Sequence, residues 1–241
     1  MRLHVTGATG YLGSELVRLR PDATTERVEV RDAAAVSALL ARVRPDVVLV
    51  LPIGGVDDVN TVGSENVARA AAAVGARLVH LSTDVVFDGR KGTPYLEDDP
   101  LSPVTDYGRA KAEAEVRVAL AHADALLVRT SLLYGGDAPS KHELSAHDPD
   151  FTFFTNEIRS PVQVGDLAQA LLELAELDVS GPLHVAGPDD VSRAEFAELI
   201  ARGPVRSAPA PETRPLDCAL DSSRAQALLR TRLRGVREVL R

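Results

Sequence analysis

The stretch that decides the fold is Leu3-His-Val-Thr-Gly-Ala-Thr-Gly-Tyr-Leu-Gly13, which runs directly into Ser14-Glu-Leu-Val-Arg-Leu19. Its first four residues are typical of a short buried strand, and the residues from Ser14 onward are typical of a helix. Three glycines between them allow a tight turn and a close approach of a pyrophosphate, whose charge is favoured at a helix N-terminus. The pattern predicts a dinucleotide-binding turn, although an ordinary strand-to-helix turn also fits it. The residues expected to contact the cofactor here are Gly7, Thr9, Gly10, Tyr11, Leu12 and Gly13.

Strands and helices alternate along the rest of the chain. The apolar run Asp46–Leu51 is typical of a parallel strand buried on both faces, and another strand is predicted near Arg27–Val30. Further helices are expected over 33–43, 59–74 and 105–122, and further strands over 77–81 and 125–128. This alternation predicts an α/β fold: a Rossmann-like, doubly wound parallel sheet with a small C-terminal α/β substrate-binding extension. We expect residues 1–136 to form the dinucleotide-binding domain and residues 137–241 to form a smaller substrate-binding region interleaved with it.

A second informative pattern is Tyr107-Gly-Arg-Ala-Lys111, which follows Ser82-Thr83-Asp84 along the chain. A tyrosine and a lysine four residues apart lie on one face of a helix, where the ammonium can lower the pKa of the phenol. A phenol of pKa about 10 exchanges protons poorly at neutral pH, and a neighbouring cation makes it usable. The hydroxyl of Thr83 could hold a substrate oxygen against that phenol. The pattern predicts a site that moves a proton on or off a carbonyl or alcohol oxygen, with two solvated residues on an exposed helix as the alternative.

The same residues carry a resemblance to a known family. The stretch Val79–Pro100, the Tyr107–Lys111 motif, Arg129-Thr-Ser and Arg159-Ser-Pro resemble the extended short-chain dehydrogenase/reductases and, among them, the dTDP-4-dehydrorhamnose reductases. The resemblance implies NAD(P)H-dependent reduction of a 4-keto sugar attached to a nucleotide, by hydride transfer with a proton relay. It also implies that the catalytic residues are Thr83, Tyr107 and Lys111.

The resemblance extends to the remaining binding residues. Beyond the glycine turn, the residues expected to contact the cofactor are Arg31, Asp32, Leu51, Pro52, Ser82, Lys111 and Thr130. Arg31 would favour the 2′-phosphate of NADP and Asp32 the ribose hydroxyl of NAD, and we give NADP a slight preference. The residues expected to contact the substrate are Asp84, Val85, Asn156 and Arg159.

Departures from the family pattern leave alternatives open. Sugar-nucleotide 4,6-dehydratases carry Asp-Glu after the threonine, whereas here Asp84 is followed by Val85, which favours reduction. The shortened segments around the cofactor also fit a non-catalytic nucleotide- or cofactor-binding regulatory or sensor protein on the same fold. A short-chain dehydrogenase acting on a non-sugar ketone is a further alternative. Asp84 is expected either to bind a sugar hydroxyl or to cap the loop that follows it.

Composition argues against several other classes of protein. The net charge of −8 disfavours nucleic-acid binding. The single Cys218 excludes an intramolecular disulfide, no apolar run reaches bilayer length, and the chain begins at its first strand, so we expect a cytoplasmic protein without membrane contact. The histidines lack metal-ligand spacing, and no metal is expected. The expected partner is a small molecule, with homodimer formation left open.

The charge is unevenly distributed along the chain. Residues 202–241 contain nine arginines and four acidic residues, although the whole chain is acidic. Because guanidinium groups pair well with phosphates, an arginine of this segment is predicted to bind the diphosphate of a sugar nucleotide. The alternative is a solvated face of a C-terminal helix.

Overall fold

The computed structural model describes residues 1–51 and 58–241. The strands are β1 (Leu3–Thr6), β2 (Val47–Val50), β3 (Arg77–Thr83), β4 (Leu126–Thr130), β5 (Leu133–Tyr134), β6 (Phe153–Phe154), β7 (Ile158–Arg159), β8 (Val162–Gln163), β9 (Gly181–His184), β10 (Val191–Ser192) and β11 (Ser207–Ala208). The α-helices are α1 (Tyr11–Leu19), α2 (Ala33–Val43), α3 (Ser64–Val74), α4 (Asp106–Ala121), α5 (Lys141–Ala146), α6 (Val164–Leu174), α7 (Arg193–Ala201), α8 (Ser223–Leu228) and α9 (Val236–Val239). A π-helical turn, Val59–Gly63, leads into α3, and a 3₁₀ turn, Asp84–Val86, follows β3.

A parallel sheet in the order β1-β2-β3-β4-β9 forms the centre of the fold. Its middle strands are buried on both sides, and every residue of β2 is buried, as its apolar run predicts. One hydrophobic core packs α1 and α6 against one face of the sheet. A second core packs α2, α3 and α4 against the other face. Helices therefore cover both faces of a parallel sheet, and the predicted Rossmann-like α/β class is confirmed.

The helix that carries the Tyr107–Lys111 motif is held closely against the end of β3. Thr105 caps α4 by accepting a hydrogen bond from the Gly108 amide at 3.1 Å. A Cβ atom on Gly108 would lie 2.3 Å from the Val85 carbonyl oxygen, so only glycine permits this close approach. The first turn of α4 therefore lies directly beside the 3₁₀ turn that follows β3.

The prediction of a strand near Arg27–Val30 is wrong. Next to β1 the chain makes a single bridge at Thr24, whose amide donates to the Leu3 carbonyl while its own carbonyl accepts from Val5. After this bridge the chain runs without regular structure into α2. The chain thus leaves the outer edge of β1 after Thr24, and among the described residues β1 is the edge strand of the sheet.

The C-terminal part of the chain covers the carboxyl end of the sheet. β9 completes the main sheet, while short strands pair as β7 with β10, β6 with β11 and β5 with β8. A bridge between Ile158 and Asp217 ties the last segment to β7. The division of the chain at residue 136 stays a prediction. Within the described ranges, no helix is both long enough and apolar enough to cross a bilayer.

Candidate active site

A cavity of about 600 Å³ lies where β3 and β4 end. Ser82, Thr83 and Thr130 line it from these strands, and Tyr107 lines it from α4. Tyr11, the first residue of α1, lines it from the glycine turn. Ligands of parallel α/β sheets bind at this end of the strands, and the cavity therefore lies where the motifs predict the site.

The glycine turn has the geometry that a pyrophosphate requires. Gly7 has a φ of 69°, a conformation that favours glycine, and Leu51 packs within 3.2 Å of the position its Cβ would take. A Cβ on Gly13 would lie 2.2 Å from the Gly7 carbonyl oxygen. Among the described residues, no side chain caps the N-terminus of α1, and its first turn carries no acidic residue. The first amides of α1 are thus left for an anion, which fits the phosphates of a dinucleotide.

The other residues predicted from the turn have different surroundings. Leu12 is buried in the core, so only its backbone faces the turn, and Thr9 is exposed. The Tyr11 hydroxyl accepts from the Gly136 amide at 2.8 Å and donates to Glu143 at 3.2 Å. Burial raises the pKa of Tyr11 to about 12, so the hydroxyl keeps its proton. Tyr11 therefore joins the glycine turn to the start of α5.

Lys111 lies completely buried beneath the cavity. Its ammonium donates a 2.7 Å hydrogen bond to the Leu81 carbonyl and lies 3.5 Å from Nε2 of His80. Burial lowers the pKa of Lys111 to about 8, an effect that the charge of Glu115, one helical turn further on, partly opposes. Glu115 is itself held by Arg129 in a buried ion pair of 2.8 Å. Lys111 thus remains largely charged at neutral pH.

Tyr107 corrects one expectation from the sequence. Burial and, to a smaller extent, the charge of Asp84 together raise the pKa of its phenol to about 12. The expectation that a neighbouring ammonium makes this phenol acidic is therefore wrong for this structure, because burial and the charge of Asp84 outweigh any effect of Lys111. The phenol is fully protonated at neutral pH, as a proton donor must be.

Thr83 and Asp84 form a connected pair at the end of β3. The Thr83 hydroxyl donates to Oδ1 of Asp84 at 3.1 Å. Ser131 donates to Oδ2 at 2.6 Å, and Nε of Arg159 lies 3.6 Å from the same oxygen. The side chain that caps the following turn is Thr83, which accepts from the Val85 amide at 3.5 Å. Asp84 is therefore engaged with its neighbours.

The residues predicted to bind the substrate are only partly brought together. Val85 and Arg159 line the cavity with Asp84. The guanidinium of Arg159 donates hydrogen bonds of 2.5 to 2.8 Å to the carbonyl oxygens of Ile158, Leu216 and Pro215. Asn156 is exposed and accepts from the Ala210 amide at 2.6 Å, and it is not among the residues that line the cavity. The substrate role of Asn156 and Arg159 stays a prediction.

Several cavity residues were missed by the sequence reasoning. Lys141 and His142 from α5, Ser131 after β4, and Arg193 at the start of α7 all line it. Burial lowers the pKa of His142 to about 3, which leaves its imidazole neutral. Arg214 also lines the cavity, with its guanidinium hydrogen-bonded to Glu157. Arg214 belongs to the arginine-rich C-terminal segment, and the composition of that segment is what allowed an arginine in the site to be predicted from the sequence.

The residues predicted to select the cofactor lie at the start of α2. Asp32 caps α2 by accepting from the Ala34 and Ala35 amides at 3.0 Å each. Arg31 is half-exposed and pairs with Glu29 at 2.8 Å. Pro52 lies outside the described residues.

Two further cofactor predictions lie at the cavity wall. Ser82 lines the cavity with a buried hydroxyl that has no hydrogen-bond partner among the described residues. Thr130 donates to the Val185 carbonyl at 2.7 Å. These contacts leave the cofactor roles of Arg31, Asp32, Ser82 and Thr130 as predictions.

Comparison with known proteins identifies the relatives of this chain. A family model described as RmlD substrate binding domain matches residues 56–241. A dTDP-4-dehydrorhamnose reductase of Mycolicibacterium smegmatis is 39% identical over an alignment 201 positions long that covers 76% of this chain, and the chain spans 61% of the length of that relative. The methionine adenosyltransferase 2 subunit beta of Rattus norvegicus is 31% identical over 273 residues, covering 90% of this chain and 80% of that protein.

Solved structures agree with these relatives. The crystal structure of a dTDP-4-dehydrorhamnose reductase from Bacillus anthracis in complex with NADP has a TM-score of 0.86 and 27% identity, covering 99% of this chain and 96% of that one. The family model covers well over half of the chain, and the turn, the cavity and the motif residues lie where the resemblance implies. The chain belongs to the RmlD family, whose members among these relatives include dTDP-4-dehydrorhamnose reductases.

Proposed function

We propose that this protein is an NAD(P)H-dependent reductase of a 4-keto sugar nucleotide. The observation that carries the proposal is the convergence of Thr83 and Tyr107 on one cavity, with Lys111 charged beneath it and the glycine turn at its edge. Membership of a family that includes dTDP-4-dehydrorhamnose reductases supports the same reaction.

The residues that would hold the cofactor are those of the turn. The backbone of Gly7, Gly10 and Gly13 and the first amides of α1 would bind the pyrophosphate. The nicotinamide cofactor supplies the hydride when bound. NADP is the preferred cofactor, which the NADP complex of the Bacillus anthracis relative supports.

The protein's part in the reaction is orientation and proton transfer. Tyr107 donates a hydrogen bond to the oxygen of the keto group beside Thr83, and the phenol gives its proton to that oxygen as the carbon is reduced to an alcohol. Thr83, whose hydroxyl donates to Asp84, accepts from the new alcohol hydroxyl. The resulting phenolate is stabilised by the nearby ammonium of Lys111 and regains its proton from solvent. Because burial makes the phenol a weak acid, this stabilisation matters most while the proton is moving.

The charged lining of the cavity suits an anionic substrate. Lys141, Arg193 and Arg214 line it, and these cations would pair with the diphosphate of a sugar nucleotide. This extends the prediction made from the arginine-rich C-terminal segment. A homodimer and a cytoplasmic location stay predictions.

The test is direct measurement of reduction with the full chain. Oxidation of NADPH and of NADH is followed by absorbance with dTDP-4-dehydrorhamnose, with other dTDP-4-keto sugars, and with simple ketones that lack the nucleotide. The proposal requires turnover with a nucleotide-linked ketone and much lower turnover with the simple ketones. Equal turnover with simple ketones would indicate a dehydrogenase of different substrate class.

A non-catalytic regulatory role is the second candidate function. It is favoured by the identity to the subunit beta of a methionine adenosyltransferase, which extends over most of this chain. In that case the protein would bind NADP(H) but reduce none of the ketones, and Tyr107→Phe would change no measurable activity. Cofactor binding measured by fluorescence, combined with the turnover assay, separates the two functions.

A further inference from the structure

Both carboxylate oxygens of Asp84 already have partners within the protein. Oδ1 accepts from the Thr83 hydroxyl, and Oδ2 accepts from Ser131 and lies beside Arg159. The side chain is buried to about 4% exposure. Most of the hydrogen-bonding capacity of this carboxylate is therefore used within the protein.

The residues around Asp84 are themselves committed to holding it. The guanidinium of Arg159 is fixed by three carbonyl oxygens of β7 and the C-terminal segment, which aims its Nε at Asp84. Ser131 directly follows β4 and donates the shortest of the hydrogen bonds to the carboxylate, at 2.6 Å. Three separate segments therefore determine where the carboxylate lies.

We propose that Asp84 is a positioning residue that orients the Thr83 hydroxyl, and that Ser131 and Arg159 hold Asp84 in place for this purpose. The inference rests on the proposed reductase function. Because the Thr83 hydroxyl donates its hydrogen bond to Asp84, a lone pair of the Thr83 oxygen faces the cavity. There it accepts a hydrogen bond from the hydroxyl that forms when Tyr107 gives its proton to the keto oxygen.

The charge of Asp84 has a second effect, on Tyr107. After burial, Asp84 is the cause that raises the pKa of the phenol to about 12. The titratable or charged groups that face Asp84 are Arg159 on β7, Arg193 at the start of α7, Tyr107 on α4 and Cys218 in the C-terminal segment. Removal of the Asp84 charge therefore lowers the pH at which Tyr107 ionises.

The test compares Asp84→Ala with Asp84→Asn, which keeps an acceptor oxygen for Thr83 but loses the charge. We expect Asp84→Ala to lower kcat ~10-fold to ~100-fold with KM nearly unchanged, because a misplaced hydroxyl impairs the reaction more than substrate binding. Asp84→Asn is expected to recover most of kcat. The matched control is Asp106→Asn, which removes an exposed carboxylate that is adjacent to Tyr107 in the chain and pairs with Arg109, and it should leave kcat unchanged.

A second readout uses the protein without cofactor or substrate. Tyrosinate absorbance is titrated with and without Tyr107→Phe, and the difference isolates Tyr107 from the other tyrosines. In both Asp84 variants the tyrosinate absorbance of Tyr107 should appear at lower pH than in the unmodified protein, and in Asp106→Asn it should not shift. If Asp84→Ala does not fold, Ser131→Ala removes the 2.6 Å bond and should likewise lower kcat with KM unchanged.

Three results would overturn the inference. A raised KM with unchanged kcat in Asp84→Ala would make Asp84 a substrate ligand, and unchanged kcat and KM would leave it without a role. If Tyr107 titrates at the same pH in the Asp84 variants as in the unmodified protein, the Asp84 charge does not act on Tyr107. If the unmodified protein reduces no ketone, the proposed function fails, and the titration still decides separately whether Asp84 acts on Tyr107.

Discussion

At the scale of single residues, Lys111 shows a conflict between function and stability. Its ammonium is completely buried, and its pKa falls from 10.5 to about 8. Between these two values the unfolded chain binds more protons than the folded one, so stability rises with pH across this window. Below about pH 8 the charged lysine therefore lowers the stability of the fold.

Lys111→Met should accordingly raise the free energy of unfolding at pH 7 by ~1–3 kcal/mol, while it weakens NADPH binding and lowers turnover. Urea unfolding at pH 7 and above pH 10 measures the difference, which should shrink at the higher pH. Lys141→Met, at an exposed lysine, is the control for stability. A variant that is less stable than the parent at pH 7 would contradict the expectation. In the unmodified enzyme, turnover should fall as pH rises through about 8 and Lys111 loses its charge.

Tyr107 carries the proton in the proposed reaction. We expect Tyr107→Phe to lower kcat at least ~100-fold, the usual size of a general acid contribution, with NADPH affinity nearly unchanged. Tyr134→Phe is the matched control, because the Tyr134 hydroxyl is buried and has no hydrogen-bond partner among residues 1–51 and 58–241. Steady-state kinetics and NADPH fluorescence titration check both. Full turnover in Tyr107→Phe would remove Tyr107 from the mechanism.

At the scale of elements, the turn between β1 and α1 depends on the absence of a side chain at Gly13. A Cβ there would lie 2.2 Å from the Gly7 carbonyl oxygen and 2.7 Å from the Ala8 Cα. Gly13→Ala should therefore shift the turn, lower the free energy of unfolding by about 1–3 kcal/mol and abolish cofactor binding. Gly203→Ala, where a Cβ would have no atom within 4 Å, should change neither. Calorimetry with NADPH and thermal unfolding measure the two effects, and retained affinity in Gly13→Ala would place the pyrophosphate elsewhere.

Helix α2 depends on its cap. Asp32 accepts two amide hydrogen bonds at its N-terminus, so Asp32→Ala should lower the free energy of unfolding by about 1 kcal/mol. Glu29→Ala, which breaks an exposed ion pair with Arg31 and one hydrogen bond from the Arg31 amide, should have a smaller effect. Chemical unfolding of the two variants provides the comparison. If the two variants lose the same free energy of unfolding, Asp32 does not stabilise α2 as a cap. A selective loss of NADH affinity in Asp32→Ala would support the predicted contact between Asp32 and the cofactor ribose.

At the scale of the whole molecule, an acidic protein places cations along its cavity. The net charge is −8, yet Lys141, Arg193 and Arg214 line the site. Arg193→Met should weaken binding of dTDP ~10-fold and reduce the dependence of that binding on salt. Arg206→Met, at an exposed arginine outside the cavity, should do neither. Calorimetric titration with dTDP at two salt concentrations measures the affinity and its salt dependence. An unchanged affinity in Arg193→Met would show that Arg193 does not bind the diphosphate.

Local patterns could be predicted from the sequence, and contacts between distant segments could not. The glycine turn and the Tyr107–Lys111 helix each depend on neighbours a few residues away, and both lie where expected. The strand expected at Arg27–Val30 depends on continued pairing with β1, but the chain leaves that edge after its bridge at Thr24. Ser131 and Arg193 reach the cavity only because β4 ends beside it and α7 begins there. The raised pKa of Tyr107 follows from burial, which no spacing of two residues reveals.

The carboxylate of Glu143 binds the hydroxyl of Tyr11 and the amides of Gly135 and Ser140, so it ties the N-terminal turn to the wall that faces the substrate. A chimera that took residues 137–150 from another reductase would leave Tyr11 with a foreign neighbour. Recombination that replaces this segment should therefore exchange positions 11 and 143 together.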